Sequence, residues 1–193
     1  IGSVANTRQL EAVAVMLQGV VFSTIALNYD QGFIVDETTD LADPLSLPLK
    51  TRAELRDAAM EKFNEAATLM ATTPFTTTPA TWLGVVNGPQ FSSVHLAKLV
   101  RTMQAELLAY YPRTAAENAA VNWGQVATLA AQGLSSAGGT DFGFFQDFAT
   151  MFDGVKVWSN ETGTMRVDTK LAASITAGPV AAKVHVTPWP GGS

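Results

Sequence analysis

The chain has 193 residues, with 17 acidic and 12 basic side chains and a formal net charge of −5 at pH 7. An acidic chain has little basic surface for neutralising phosphates, which argues against a nucleic-acid-binding protein. Cysteine is absent, which excludes disulfides, thiolate metal ligands and cysteine nucleophiles. The sequence also lacks a P-loop and a dinucleotide fingerprint, so we expect no cofactor.

The most apolar segment, residues 5–30, predicts the first helix. Between residues 12 and 27, only Gln18, Gly19, Ser23 and Thr24 interrupt an apolar run, so nearly every side of the helix is hydrophobic. Such a helix belongs in a core or a bilayer. The run is shorter than the roughly 20 residues that a membrane span needs. We therefore expect a buried central helix that begins near Asn6, and no transmembrane helix in this chain.

An acidic stretch follows, and its prolines and clustered Asp and Thr exclude a helix over residues 32–50. Asp36, Glu37 and Asp40 supply oxygen ligands at short spacing, so a calcium ion is one interpretation. The spacing does not match the EF-hand pattern. A solvated loop in which Asp and Thr side chains cap turns is the other interpretation, and we favour it.

Three further helices are predicted by periodic apolar residues and by their capping signals. Thr51 and Glu54 form a capping box at the start of the second helix, which ends near residue 71. The third helix covers residues 92–111 and stops at Pro112. A connector containing a second box, at residues 114–117, leads to a fourth helix that begins near Asn122 and ends at Gly133. These helices predict two antiparallel pairs.

The pattern changes after the fourth helix, where glycine-rich and aromatic-rich segments show no sustained helical period. We therefore divide the chain into a helical scaffold, residues 1–134, and a loop-rich extension, residues 135–193, packed on the same domain.

Gly19 and Phe22, three residues apart in the first helix, are typical of helical repeats of the tetratricopeptide kind. Those repeats recur with a period near 34 residues, which loops of about 20 residues break in this chain. The order of elements resembles the SusD/RagB family of outer-membrane glycan-binding lipoproteins. The segments that carry the resemblance are ALNYDQGFIVDE, TRAELRDAAMEKFNEAATLM, SSVHLAKLVRTMQAELLAYYPRT, VNWGQVATLAAQGL and MFDGVKVWSNETGTMRVDTKL.

The resemblance implies a mainly α fold of irregular tetratricopeptide-like helix pairs with long loops and a loop-rich C-terminal part. It implies a non-catalytic protein at the outer-membrane surface or in the periplasm, which captures oligosaccharide or another nutrient for a TonB-dependent transporter. Family members are commonly longer and begin at a lipid-bearing cysteine, which this chain lacks. The alternative is a structural or accessory subunit of a larger envelope assembly that reuses the same scaffold.

Glycans bind to aromatic faces that stack on the apolar faces of sugars, with amide or carboxylate groups nearby. Trp82 in a loop, and Trp158 followed by Asn160, have this composition, although core packing is the alternative for each tryptophan. Trp123 heads a helix and is expected to pack.

No catalytic residue is assigned, because the two histidines lie far apart in the sequence and no nucleophile motif is present. Carboxylate pairs suited to glycoside hydrolysis are available among Asp147, Asp153, Glu161 and Asp168, so a hydrolase is a third alternative.

Overall fold

The computed structural model describes residues 4–43, 46–77 and 90–135, and this part of the chain is mainly α-helical, as predicted. It lies within one compact unit, Ile1–Phe145. The predicted extension at residues 135–193 lies outside the described residues except for its first position. The elements are α1 (Val4–Asn28), β1 (Gln31–Gly32), β2 (Lys50–Thr51), α2 (Arg52–Thr72), α3 (Ser93–Tyr110), α4 (Ala115–Ala119) and α5 (Trp123–Gln132).

Successive long helices pack against one another in antiparallel directions. Asn64, near the middle of α2, is bonded to Gln104 of α3, whereas Arg52 at the start of α2 binds the carbonyl of Tyr111 at the end of α3. The end of α5 turns back towards α3 in the same way, because the amide of Leu134 donates to Thr102 Oγ1 at 2.9 Å. The described helices therefore follow the chain order α1, α2, α3, α5 in space.

The core lies mainly between α1, α2 and α3. Its largest fully buried side chains include Phe63, Leu55, Met70, Leu96 and Leu107. Gly19 permits the close approach of α1 to α2, since a Cβ atom there would lie 2.7 Å from Cδ1 of Phe63. A glycine in mid-helix is intrinsically unfavourable, so its presence here reflects packing.

Local hydrogen bonds determine where the helices begin. Thr51 and Glu54 form the predicted capping box, and Asn122 caps α5 by accepting the amide of Gln125 at 3.0 Å. The box at Thr114, placed by the sequence in a connector, opens the short helix α4. α1 begins at Val4, before the predicted start at Asn6.

The expectation that α1 is buried on all sides is wrong. Its inner side packs on α2 and α3, but Leu10, Leu17 and Val21 are 47%, 51% and 53% exposed. By length and composition alone, one helical stretch in the described ranges, Thr7–Asn28, could cross a membrane. In its most apolar 18 residues, 39% are buried. One such helix is weak evidence for a span, because core helices and signal sequences meet the same criterion.

Candidate functional site

A half-open groove lies between α2, α3 and the segment that connects α3 to α5, and it encloses about 510 Å3. Ligand pockets of small molecules commonly enclose about 300–1,000 Å3. We refer to it as the α2–α3–α5 groove. Its lining combines aliphatic, amide and charged side chains: Arg56, Asp57, Met60, Asn64, Leu108, Tyr111, Glu117, Ala120, Val121, Asn122 and Gln125.

Tyr111 forms one end of the groove and is held by two arginines of α2. The guanidinium carbon of Arg52 lies 3.9 Å from the centre of the tyrosine ring, and that of Arg56 lies 4.7 Å from it. Cations at this range are attracted by the π electrons of the ring. Because residues 52 and 56 are one turn apart on α2, the helix presents both to the same ring, which fixes the position of the tyrosine.

The charges beside the groove are paired. Arg56 Nε donates to Asp57 Oδ1 at 2.8 Å, and Arg52 Nη1 lies 3.2 Å from Glu117 Oε1. Glu117 also accepts the amide of Arg113 at 2.7 Å, which is the largest cause of a pKa below the usual range for that carboxyl, and the neighbouring Arg52 adds to the lowering. The groove thus contains ion pairs rather than an excess of one charge.

The side chain of Arg113 connects the beginning of α4 to the end of α1. It donates to the carboxylate of Asp30 and to the carbonyls of Leu27 and Tyr29, the latter two at 3.2 and 3.1 Å. The last carbonyls of a helix have no partner within the helix and attract cations. Arg113 therefore caps α1 from a distant part of the sequence and fixes one border of the site.

A buried amide on α3, Gln104, fixes the groove-lining residue Asn64 of α2. Gln104 is fully buried on α3, and its Nε2 donates to Asn64 Oδ1 at 2.9 Å. Arg101 donates to both amide oxygens, at 2.8 Å to Gln104 and 3.1 Å to Asn64. These bonds orient Asn64, a lining residue of the groove, with its oxygen towards α3.

Two exposed aromatic side chains flank α5 and were not identified as candidates from the sequence. Tyr110 is 72% exposed, and Trp123 is 48% exposed. The expectation that Trp123 packs in the interior is therefore wrong. Among the described helices, α5 packs on α3 alone and buries only Leu129, so its first residue is only partly covered. Tyr110 also borders a smaller apolar groove between α3 and α5.

The glycan candidates predicted from the sequence, Trp82, Trp158 and Asn160, lie outside the described residues. The α2–α3–α5 groove instead brings together residues that are more than 60 positions apart, from Arg56 to Gln125. No local motif joins them. The only sequence signals at this site are the two caps, at Thr114 and Asn122, which position its rim.

The acidic loop holds its carboxylates in protein hydrogen bonds. Asp36 Oδ1 accepts from the amide and the hydroxyl of Thr38 at 2.9 and 2.8 Å, and these bonds lower the pKa of Asp36. Glu37 binds Gln18 at 3.0 Å and Lys62 at 3.1 Å. Asp40 accepts the amide of Ala42. In residues 4–43, 46–77 and 90–135, no three acidic or histidine side chains are placed to hold one metal ion.

No protein-family model matches the sequence, and comparisons with curated proteins and with solved structures also gave no match. Evidence for a function therefore comes from the residues and their geometry.

Proposed function

We propose that this chain is a non-catalytic cell-envelope binding protein resembling the SusD/RagB family. It holds oligosaccharide or another nutrient for a TonB-dependent transporter, at the outer-membrane surface or in the periplasm. Binding comes from aromatic and amide side chains on a rigid helical scaffold, and the proposal assigns no bond chemistry to the chain.

The observation that carries this proposal is the contact between α1 and α2. Tetratricopeptide helix pairs have a glycine followed three residues later by an aromatic residue in the first helix, and an Ala-x3-Phe pattern in the second. Here Gly19 and Phe22 stand in α1, and Ala59 and Phe63 stand in α2. All four are buried, and Gly19 lies directly against the ring of Phe63. This arrangement supports a tetratricopeptide-like pair.

The connections between the helices support an irregular rather than a regular repeat. Residues 29–51 separate α1 from α2, and residues 73–92 separate α2 from α3. A regular array with a period near 34 residues leaves room only for short turns. Long loops on a rigid scaffold are the usual place for binding residues, and the second of these connections contains the candidate Trp82.

The surface composition of the described region also fits a ligand with hydroxyl groups. Exposed aromatic rings at Tyr110 and Trp123 provide apolar faces of the kind that stack on sugar rings. Amide side chains at Asn64, Asn122 and Gln125 line the nearby groove. An amide both donates and accepts hydrogen bonds, as a sugar hydroxyl does.

A binding screen tests the proposal. The 193-residue chain is titrated calorimetrically with a panel of oligosaccharides and a panel of peptides, alongside the double variant Trp82→Ala/Trp158→Ala. Loss of two stacking residues is expected to weaken glycan binding by about tenfold or more, which corresponds to about 1.4 kcal/mol. The exposed Tyr29, which is not a candidate, gives the matched control Tyr29→Ala. Absence of heat from every ligand would refute the binding function.

The runner-up function is an accessory subunit of a larger envelope assembly, and the uncovered strip of α1 favours it. Leu10, Leu17 and Val21 recur at helical spacing on the exposed side of this helix. Contiguous exposed apolar side chains mark surfaces that contact partners. A chain that remains monomeric and separates from every envelope complex under mild extraction would contradict this role.

A further inference from the structure

We propose that the α2–α3–α5 groove is itself a saccharide subsite, which takes one uncharged sugar unit of an oligosaccharide in addition to any contacts made by loop tryptophans. The inference rests on the proposed function and specifies a place and a ligand class for it. Four features of the groove support it: available amide groups, balanced charge, aliphatic lining residues and preorganised side chains.

Three amide side chains in the groove have hydrogen-bonding groups available for a ligand. The oxygen of Asn64 is used by Gln104 and Arg101, and the oxygen of Asn122 caps α5. All three residues are exposed, and within the described ranges of the chain the side-chain bonds of Asn64 and Asn122 use their oxygens, whereas the Gln125 amide bonds to no protein group. These three lining residues come from α2, from the N-cap of α5 and from its first turn.

The charge distribution selects an uncharged ligand. Arg56 is paired with Asp57 through two short contacts, at 2.8 and 2.6 Å, and Glu117 is engaged by Arg52 and by the backbone amide of Arg113. A phosphorylated or acidic sugar would have to compete with these pairs for the guanidinium groups, at a cost in desolvation. A neutral sugar needs no such exchange. Its hydroxyls can bond to the unpaired amides.

The groove is also lined by aliphatic residues, which can contact the C–H face of a sugar ring. Met60 of α2, Leu108 of α3 and Val121 before α5 line the groove between the polar groups. Burial of this aliphatic surface against a sugar ring favours binding. Apolar walls with a few convergent polar groups are the usual composition of a small-molecule site.

The site is also preorganised, which reduces the entropic cost of binding. Asn64 is fixed by the fully buried Gln104, and Tyr111 is fixed by two arginines. Glu117 closes the capping box of α4 with Thr114, which fixes the segment that forms the rim. The groove therefore needs no large rearrangement to accept a ligand.

The test follows the side-chain amide signals of the intact 193-residue chain by NMR during titration with uncharged gluco-, manno- and galacto-oligosaccharides. We expect the NH2 resonances of Asn64, Asn122 and Gln125 to shift in a saturable manner. The resonance of Gln132, which is exposed at the far end of α5, is expected to remain unchanged.

Two variants and one control show whether the amides contribute to affinity. Gln125→Ala removes one amide, and Asn122→Ser removes another while keeping an oxygen that can cap α5. Each neutral hydrogen bond contributes about 0.5–1.5 kcal/mol, so each variant is expected to weaken binding by roughly 2–12-fold. Gln132→Ala, on the same helix, is expected to bind like the unmodified chain.

Saccharide binding that leaves all three amide resonances and both variant affinities unchanged would overturn the groove site while leaving the proposed function intact. Binding of sugar phosphates in preference to neutral sugars, with the same resonances shifted, would overturn the inferred ligand class. If no saccharide binds the chain, both the groove site and the glycan-binding function fail.

Discussion

Replacement of Gly19 by alanine tests the contact between α1 and α2 on which the proposed tetratricopeptide-like pair rests. A Cβ atom at this position would lie 2.7 and 2.8 Å from Cδ1 and Cε1 of Phe63. The ring is 1% exposed, so any shift of it must be accommodated within the packed core. In a helix without such a neighbour, replacing glycine by alanine would stabilise the protein by about 1 kcal/mol. Overpacking a close core contact costs about 1–3 kcal/mol.

The two effects oppose each other, and the steric cost is expected to exceed the gain in helix propensity. We therefore expect Gly19→Ala to lower the free energy of unfolding by about 1 kcal/mol, which lowers the Tm by roughly 2–4 °C for a chain of this size. Urea unfolding followed by far-UV circular dichroism measures the change. The comparison variant is Gly124→Ala on α5, where the added Cβ would meet one atom, the capping Oδ1 of Asn122, at 3.3 Å, so a smaller loss of stability than at Gly19 is expected.

A double-mutant cycle attributes the loss to the ring. Phe63→Leu removes the aromatic edge that the new methyl group would meet, so Gly19→Ala is expected to cost less in that background than in the native one, by at least about 1 kcal/mol of coupling. If Gly19→Ala costs no more stability than Gly124→Ala, or if the effects of Gly19→Ala and Phe63→Leu are simply additive, then Gly19 does not pack on Phe63.

Three further outcomes are expected from local interactions. Glu117→Gln should make stability fall less steeply in acid. The folded pKa of Glu117 lies below its usual value of 4.5, so its contribution to stability is complete above pH 4.5 and is lost as the pH falls through the folded pKa. Urea unfolding midpoints at several pH values measure the change, and the exposed Glu61→Gln is the control. Thr51→Ala should cost about 1 kcal/mol of stability through loss of the α2 cap, and Thr51→Ser should retain most of it. Arg113→Met should accelerate hydrogen exchange at the end of α1 more than in its middle, because the carbonyls of Leu27 and Tyr29 lose their donor.

The helices could be predicted closely because their signals are local. Capping side chains at Thr51 and Asn122 bond to backbone amides a few residues away, so the sequence places the starts of α2 and α5. Apolar spacing predicts the face of α2 that packs, including Phe63. A mainly α fold was therefore accessible from the sequence.

Features that depend on distant neighbours were not predictable in the same way. The exposure of Leu17 and Trp123 depends on which helices pack beside α1 and α5, and no local pattern encodes that information. The groove joins Asn64 to Gln125 through the antiparallel return of α3. Arg113 caps a helix more than 80 residues earlier in the chain. Such long-range pairs require the tertiary structure.

The most direct test of the central claim, that this is a binding protein and not an enzyme, is calorimetric titration of the 193-residue chain with uncharged oligosaccharides, followed by chromatography of the recovered ligand. We predict saturable heat with at least one glycan and recovery of that glycan intact after prolonged incubation. No heat with any glycan would contradict binding, and a glycan recovered in shortened form would contradict the absence of catalysis.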